Sequence, residues 1–100
     1  MIAAYRFLSA AHEEVAEAIE HYNKVASDAA AAFLSDLDRA IDLLRVFPRS
    51  GVTVEYGFRS FPLHQFPFTV IYAIDDNDII IVAVAHQSRQ PQYWINRLND

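Results

Sequence analysis

The side chains best suited to chemistry stand near the end of the chain. His86, Arg89, Tyr93, Trp94 and Arg97 follow the last long apolar run, in the stretch HQSRQPQYWINR. Arginine offers a planar fork of donors that fits a phosphate or a carboxylate, and tyrosine and tryptophan offer faces for stacking. Arg59 can join them if the strand that carries it ends at the same end of a sheet. The candidate target-binding residues are therefore Arg59, His86, Arg89, Tyr93 and Arg97, for recognition or cleavage of a polyanion or a protein. Trp94 reads more simply as core. A competing assignment pairs Arg59 and Arg89 with Glu55 or an aspartate.

Other chemistries find little support. Of the four histidines, His12 and His21 are nine apart, the wrong spacing for one helix face, and His64 and His86 fall on different expected strands. No third ligand stands at motif spacing, so neither a metal nor a cofactor is expected. With no cysteine, thiolate sites and disulfides are excluded. There is no Gly-x-Ser-x-Gly elbow, and Gly51 and Gly57 alone cannot build a phosphate-cradling loop. The net charge of −5 lacks the basic excess of a protein held mainly by nucleic-acid phosphates. Residues 1–48 carry four basic against eight acidic side chains, and residues 49–100 four against five. No apolar run approaches a membrane span, and MIAAYRF does not read as a secretory signal, so the expected location is cytoplasmic.

The elements that must position these residues can be read from pattern. A chain of 100 residues makes one domain. Ala3–Leu8 is a strand candidate. Ser9 is the expected N-cap of a first helix running to about Asn23, which buries Ala11, Val15, Ala18, Ile19 and Tyr22 and solvates Glu13, Glu17 and Glu20. After the break Lys24-Val25-Ala26, Ser27 caps a second helix to about Phe47, with Phe33, Leu34, Leu37, Ile41 and Leu44 on its apolar stripe. Asp36–Arg39 and Asp42–Arg45 read as ion pairs on its wet side. Pro48 ends this helix and Gly51 allows the next turn. Residues 49–57 are irregular or a short edge strand. Phe58–His64 is a strand that Pro62 confines to an edge or a bulge. Gln65-Phe66-Pro67 leads into a hairpin of Phe68–Ile74 and Ile79–His86, turned by the Asp75–Asp78 cluster. The expected fold is α+β, in the order β-α-α-β-β-β, with a helical hairpin on a mostly antiparallel sheet and a short C-terminal helix or turn.

One strand carries a further expectation. Both odd and even positions of Ile79–Ala85 are apolar, so it needs cover on both faces, and the helical hairpin supplies one. A partner chain or a second copy is expected on the other face. The alternative is that residues 91–98 fold back and cover it alone.

The helical hairpin ending in FPRSG, the segment from Arg59 through FPFTVIY, and His86 to Arg97 together resemble the RelE/ParE superfamily. These are toxins of type II toxin–antitoxin modules, often described as plasmid stabilisation proteins. The resemblance spans nearly the whole chain, and its terminal motif is closest to the ParE-like branch. It implies a cognate antitoxin that wraps and neutralises the toxin. ParE-like members inhibit DNA gyrase; RelE-like members cut mRNA on the ribosome. Arg59, Arg89 and Tyr93 are the carry-overs available to an endoribonuclease site. The lysines that RelE-like enzymes carry in and before the early strands are missing, Lys24 being the sole lysine. The resemblance thus implies a gyrase inhibitor, with a ribosome-dependent endoribonuclease as the alternative and an inactive antitoxin-binding module as the third reading.

Overall fold

A computed structural model describes residues 2–99. β1 (Tyr5–Phe7) is followed by α1 (Ser9–Val25) and α2 (Ser27–Val46), then β2 (Val52–Thr53), β3 (Arg59–Pro62), β4 (Phe68–Asp75) and β5 (Asp78–His86). Single 3-10 turns occur at Glu55–Gly57 and Arg97–Asn99. The strands lie in the order β1-β5-β4-β3-β2. β1 pairs with β5 in parallel and every other pairing is antiparallel. This is the α+β architecture expected from the sequence.

The helices form for the reasons their patterns imply, but start and pack differently. Ala11 and Ala18 are buried while Val15, Ile19 and Tyr22 pack against the core from its edge. Neither serine caps a helix: the N-cap positions are Leu8 and Ala26, with no capping side-chain hydrogen bond. The break between the helices shrinks to Ala26, whose extended backbone (φ −168°, ψ 144°) reverses the chain. Leu34 is exposed, and Asp36 is buried instead of lying on the wet side. Its carboxylate accepts the backbone N–H groups of His64, Gln65 and Phe66 at 3.2, 2.7 and 3.1 Å. Arg45 donates to the Ala3 carbonyl at 2.8 Å. Neither Asp36–Arg39 nor Asp42–Arg45 forms an ion pair among the described residues.

Strand β3 stops at Pro62, so His64 stands in the loop before β4. Pro62 is opposite Thr69 of β4, beyond the two β3 residues that β2 pairs, so its missing N–H falls on the free side. Gly51 is required for closeness and not for an unusual turn. Its N–H donates to the Tyr72 hydroxyl at 2.9 Å, and an added Cβ would stand 2.5 Å from that oxygen.

β5 carries two cores. Ile79, Ile81 and Val84 face the helical hairpin, whereas Ile80, Val82 and Ala83 face away. The alternation slips by one residue at a bulge, where Tyr72 pairs with Ile81 but Ile71 pairs with Ala83. The second face is closed by the chain itself. Trp94 lies edge-to-face on Phe58 at 5.1 Å, and both are buried with Ile71, Ile80, Val82 and Ala83, flanked by Tyr93 and Ile95. The expectation that a companion chain must cover this face is overturned: every residue from Ile79 to Ala85 is buried within one chain. Trp94 is core, as its residue type implied.

Candidate functional site

Glu14 organises the C-terminal residues. It lies on α1 between Ala11 and Ala18, turned toward the side edge of β5 that β1 leaves uncovered beyond Phe7. Its Oε1 accepts the Val84 N–H at 3.1 Å and an Arg97 N–H at 2.9 Å. Its Oε2 accepts a second Arg97 N–H at 3.2 Å and the Tyr93 hydroxyl in a short hydrogen bond. Arg97 also donates to the Val82 carbonyl at 2.9 Å, at the residue where the strand bulges. Two side chains thus take the place of a neighbouring strand along this part of β5, which also protects an open edge.

Arg89 completes the group without being consumed by it. Its guanidinium stacks over the Tyr93 ring, 3.9 Å from the centroid, and approaches Glu14 only to 4.0 Å. Arg97 flanks the same ring at 5.0 Å. The Arg89 side chain is 52% exposed, against 20% for Arg97 and 11% for Glu14. Exposure and distance separate the loosely paired cation, Arg89, from the tightly bound one, Arg97.

His86 stands beside this group. Its Nδ1 accepts the Ser88 N–H at 3.0 Å and lies 2.7 Å from the Ser88 hydroxyl, while its ring meets Phe68 edge-on at 5.0 Å. His86 and Arg89 form a ridge between two clefts. One, of about 350 Å³, is also lined by Glu17, His21 and Ser88; the other, of about 490 Å³, by Thr69, Gln90 and Gln92. Among the described residues, no group of three or more His, Asp or Glu side chains is placed to hold a metal ion.

Arg59 is not part of this constellation. Its guanidinium donates to the carbonyls of Gly51 and Arg49 at 2.9 and 3.2 Å. The Tyr72 hydroxyl, from the residue opposite Arg59 in the sheet, donates to the Pro48 carbonyl at 2.7 Å. Arg59 thus ties down the loop leaving α2. The expected convergence fails because the Arg59 side chain reaches toward that loop, whereas Arg89 and Arg97 gather on α1.

The electrostatics follow from these contacts. Burial raises the Tyr93 pKa well above the ordinary phenol value; the hydrogen bond and charge of Glu14 raise it further, against an opposing pull from Arg97 and Arg89. For Arg97, burial works against the charged form, but Glu14's hydrogen bond and charge prevail and the pKa rises. Tyr93 is therefore a protonated donor to a carboxylate, and poorly disposed to act as a base. The sequence reading missed Glu14. Its signal was a carboxylate three residues after Ala11 and four before Ala18, on the apolar stripe itself.

Comparison with known proteins agrees with this architecture. Residues 5–91 match the family described as "ParE toxin of type II toxin-antitoxin system, parDE". No curated protein matches the chain. A solved structure titled "Chromosomal ParDE TA system from P. aeruginosa" superposes with a TM-score of 0.74 at 17% identity, covering 85% of this chain and 96% of that one. It is similar in fold. No helix among the described residues is long and apolar enough to cross a membrane. With most of its length matched by the family, the chain belongs to the ParE toxins of type II toxin–antitoxin systems.

Proposed function

We propose that this toxin acts by binding a protein target, DNA gyrase, through the ridge formed by His86 and Arg89, and that a cognate antitoxin neutralises it. The observation that carries the reading is the fate of the three residues available to an endoribonuclease. Arg59 is tied to two backbone carbonyls, the Tyr93 hydroxyl donates a hydrogen bond to Glu14, and of the three only Arg89 keeps an exposed cation. RNA cleavage needs a group to activate the ribose 2′-OH and others to stabilise charge at phosphorus. Of these three residues, Arg89 alone is left to stabilise charge at phosphorus and none is left to take the 2′-OH proton. The acidic net charge of −5 also favours a protein over ribosomal RNA. Family membership, and the ParDE system with which the fold is shared, support the antitoxin as partner.

The test pairs a supercoiling assay on purified gyrase with a translation assay monitored for mRNA cleavage. Loss of supercoiling with intact mRNA is the expected outcome. Codon-phased cuts with normal supercoiling would overturn the proposal in favour of a ribosome-dependent endoribonuclease. Inactivity in both, with no growth arrest on expression, would leave an antitoxin-binding module.

A further inference from the structure

Glu14 occupies the place of an anionic ligand. Two N–H groups of one guanidinium, a phenol hydroxyl and the backbone N–H of Val84 converge on its two oxygens. The same donors would suit two oxygens of a phosphate. A second guanidinium, that of Arg89, lies over the other participant, the Tyr93 ring. Cations grouped beside an aromatic side chain are what the backbone phosphates of single-stranded nucleic acid engage, and Arg89 is the exposed one of this pair.

An amide at position 14 would keep one acceptor oxygen for these four donors and turn its nitrogen toward the others, so it gives up part of the hydrogen bonding together with the charge. What the charge adds is neutralisation: it leaves Arg89 and Arg97 with one net positive charge between them instead of two. It is also the inward-turned member of its helix's acidic set, Glu13, Glu17 and Glu20 being exposed.

We infer that Glu14 is a specificity-determining residue, an internal carboxylate that fills the tail's anion cradle and so keeps nucleic-acid phosphates from Arg89 and Arg97. The inference rests on the reading of the toxin as one with a protein target, because it assigns a cause for the rejection of RNA.

The test is a titration of a short fluorescent single-stranded RNA, followed by anisotropy, with the wild-type chain, Glu14→Gln and the charge-matched control Glu13→Gln. Wild type and Glu13→Gln are expected to show no saturable binding. Glu14→Gln is expected to bind at least about tenfold more tightly, with a log–log salt slope of about −0.7 for each phosphate newly contacted. Adding Arg89→Ala, which removes an exposed cation, to Glu14→Gln should abolish the gain. A folded Glu14→Gln chain that binds RNA no better than wild type overturns the inference and leaves the protein-target reading standing. Wild-type binding as tight as that of Glu14→Gln overturns both. Should Glu14→Gln not fold, Glu14→Met keeps the side-chain volume and takes its place in the same titration. If neither variant folds, the role of Glu14 is structural and the inference falls.

Discussion

Removing the Asp36 carboxylate tests how the helical hairpin is joined to the sheet. This side chain is 3% exposed and accepts three consecutive backbone N–H groups, from His64, Gln65 and Phe66. A hydrogen bond to a charged group contributes about 1.5–3 kcal/mol. The three bonds are not worth three times that figure, because His64 and Gln65 are exposed and their amides regain water once the carboxylate is gone. Counting the 2.7 Å bond from Gln65 at the lower end of that range and the other two at about 0.5–1 kcal/mol each gives about 3 kcal/mol for Asp36→Ala. For a domain of this size the midpoint of thermal unfolding should fall by roughly 12–24 °C. Asp36→Asn should fare little better, since the amide nitrogen presents a donor to donors. The assay is urea and thermal unfolding by circular dichroism, with exposed Asp38→Ala as a control expected within about 0.5 kcal/mol of wild type. Amide exchange at residues 64–66 should accelerate with the loss. Asp36→Ala within about 1 kcal/mol of wild type, at an unchanged denaturant slope, would refute the assignment of this carboxylate as the loop's anchor.

Gly51→Ala should destabilise by about 1–3 kcal/mol through overpacking, because the new methyl meets the fully buried Tyr72 ring and hydroxyl; denaturant melts check it. Arg89→Ala should relieve growth arrest while leaving the melting temperature within a few degrees of wild type, because the side chain is half exposed and only stacks on Tyr93. Persistent arrest in that variant would make Arg89 irrelevant to the target. Tyr93, Tyr72 and Tyr22 all have raised pKa values, burial being the first cause in each. A raised folded-state pKa gives stability that is complete below the unfolded value near 10 and is lost as pH climbs above it. Stability should therefore be flat approaching pH 10 and fall beyond it, with a shallower fall in Tyr93→Phe.

The order of elements was legible because their periodicities are unambiguous and no insertion interrupts them. What stayed hidden has one physical character. Glu14 and Asp36 are each a carboxylate turned inward among apolar neighbours, Asp36 against the expectation that placed it on the wet side of its helix, and spacing does not show which distant backbone groups such a carboxylate will satisfy. Asp36 finds partners about thirty residues away and Glu14 seventy or more, distances over which pattern carries no information. Arg59 was misplaced for a related reason: register put it in the sheet, but nothing in FRSF told toward which loop the guanidinium would reach. The closing of the second face turned on the bulge at Val82. That extra residue puts Val82 and Ala83 on the same side, and alternation alone does not predict it.

The tail therefore has two attachments that constrain one another. Trp94 is buried against Phe58 on the outer face of the sheet, and Arg97, three residues on, reaches the edge of β5 to bind Glu14 and the Val82 carbonyl. Tyr93, next to Trp94 in the chain, has its hydroxyl on Glu14 and the Arg97 guanidinium 5.0 Å from its ring, which holds the ring where Arg89 stacks on it. Arg89 thus inherits an ordered platform while forming no close ion pair itself. Substitutions at Trp94, Tyr93 or Arg97 will alter the fold and the presentation of the ridge together, and loss of toxicity in those variants will not distinguish the two. Arg89 is where they separate. If the ridge is the working surface, activity should respond to Arg89 chemistry at constant stability: Arg89→Lys, which keeps the charge but loses the planar fork, should retain less than wild-type and more than Arg89→Ala activity in the supercoiling assay. Equal activity of all three would place the contact with the target elsewhere.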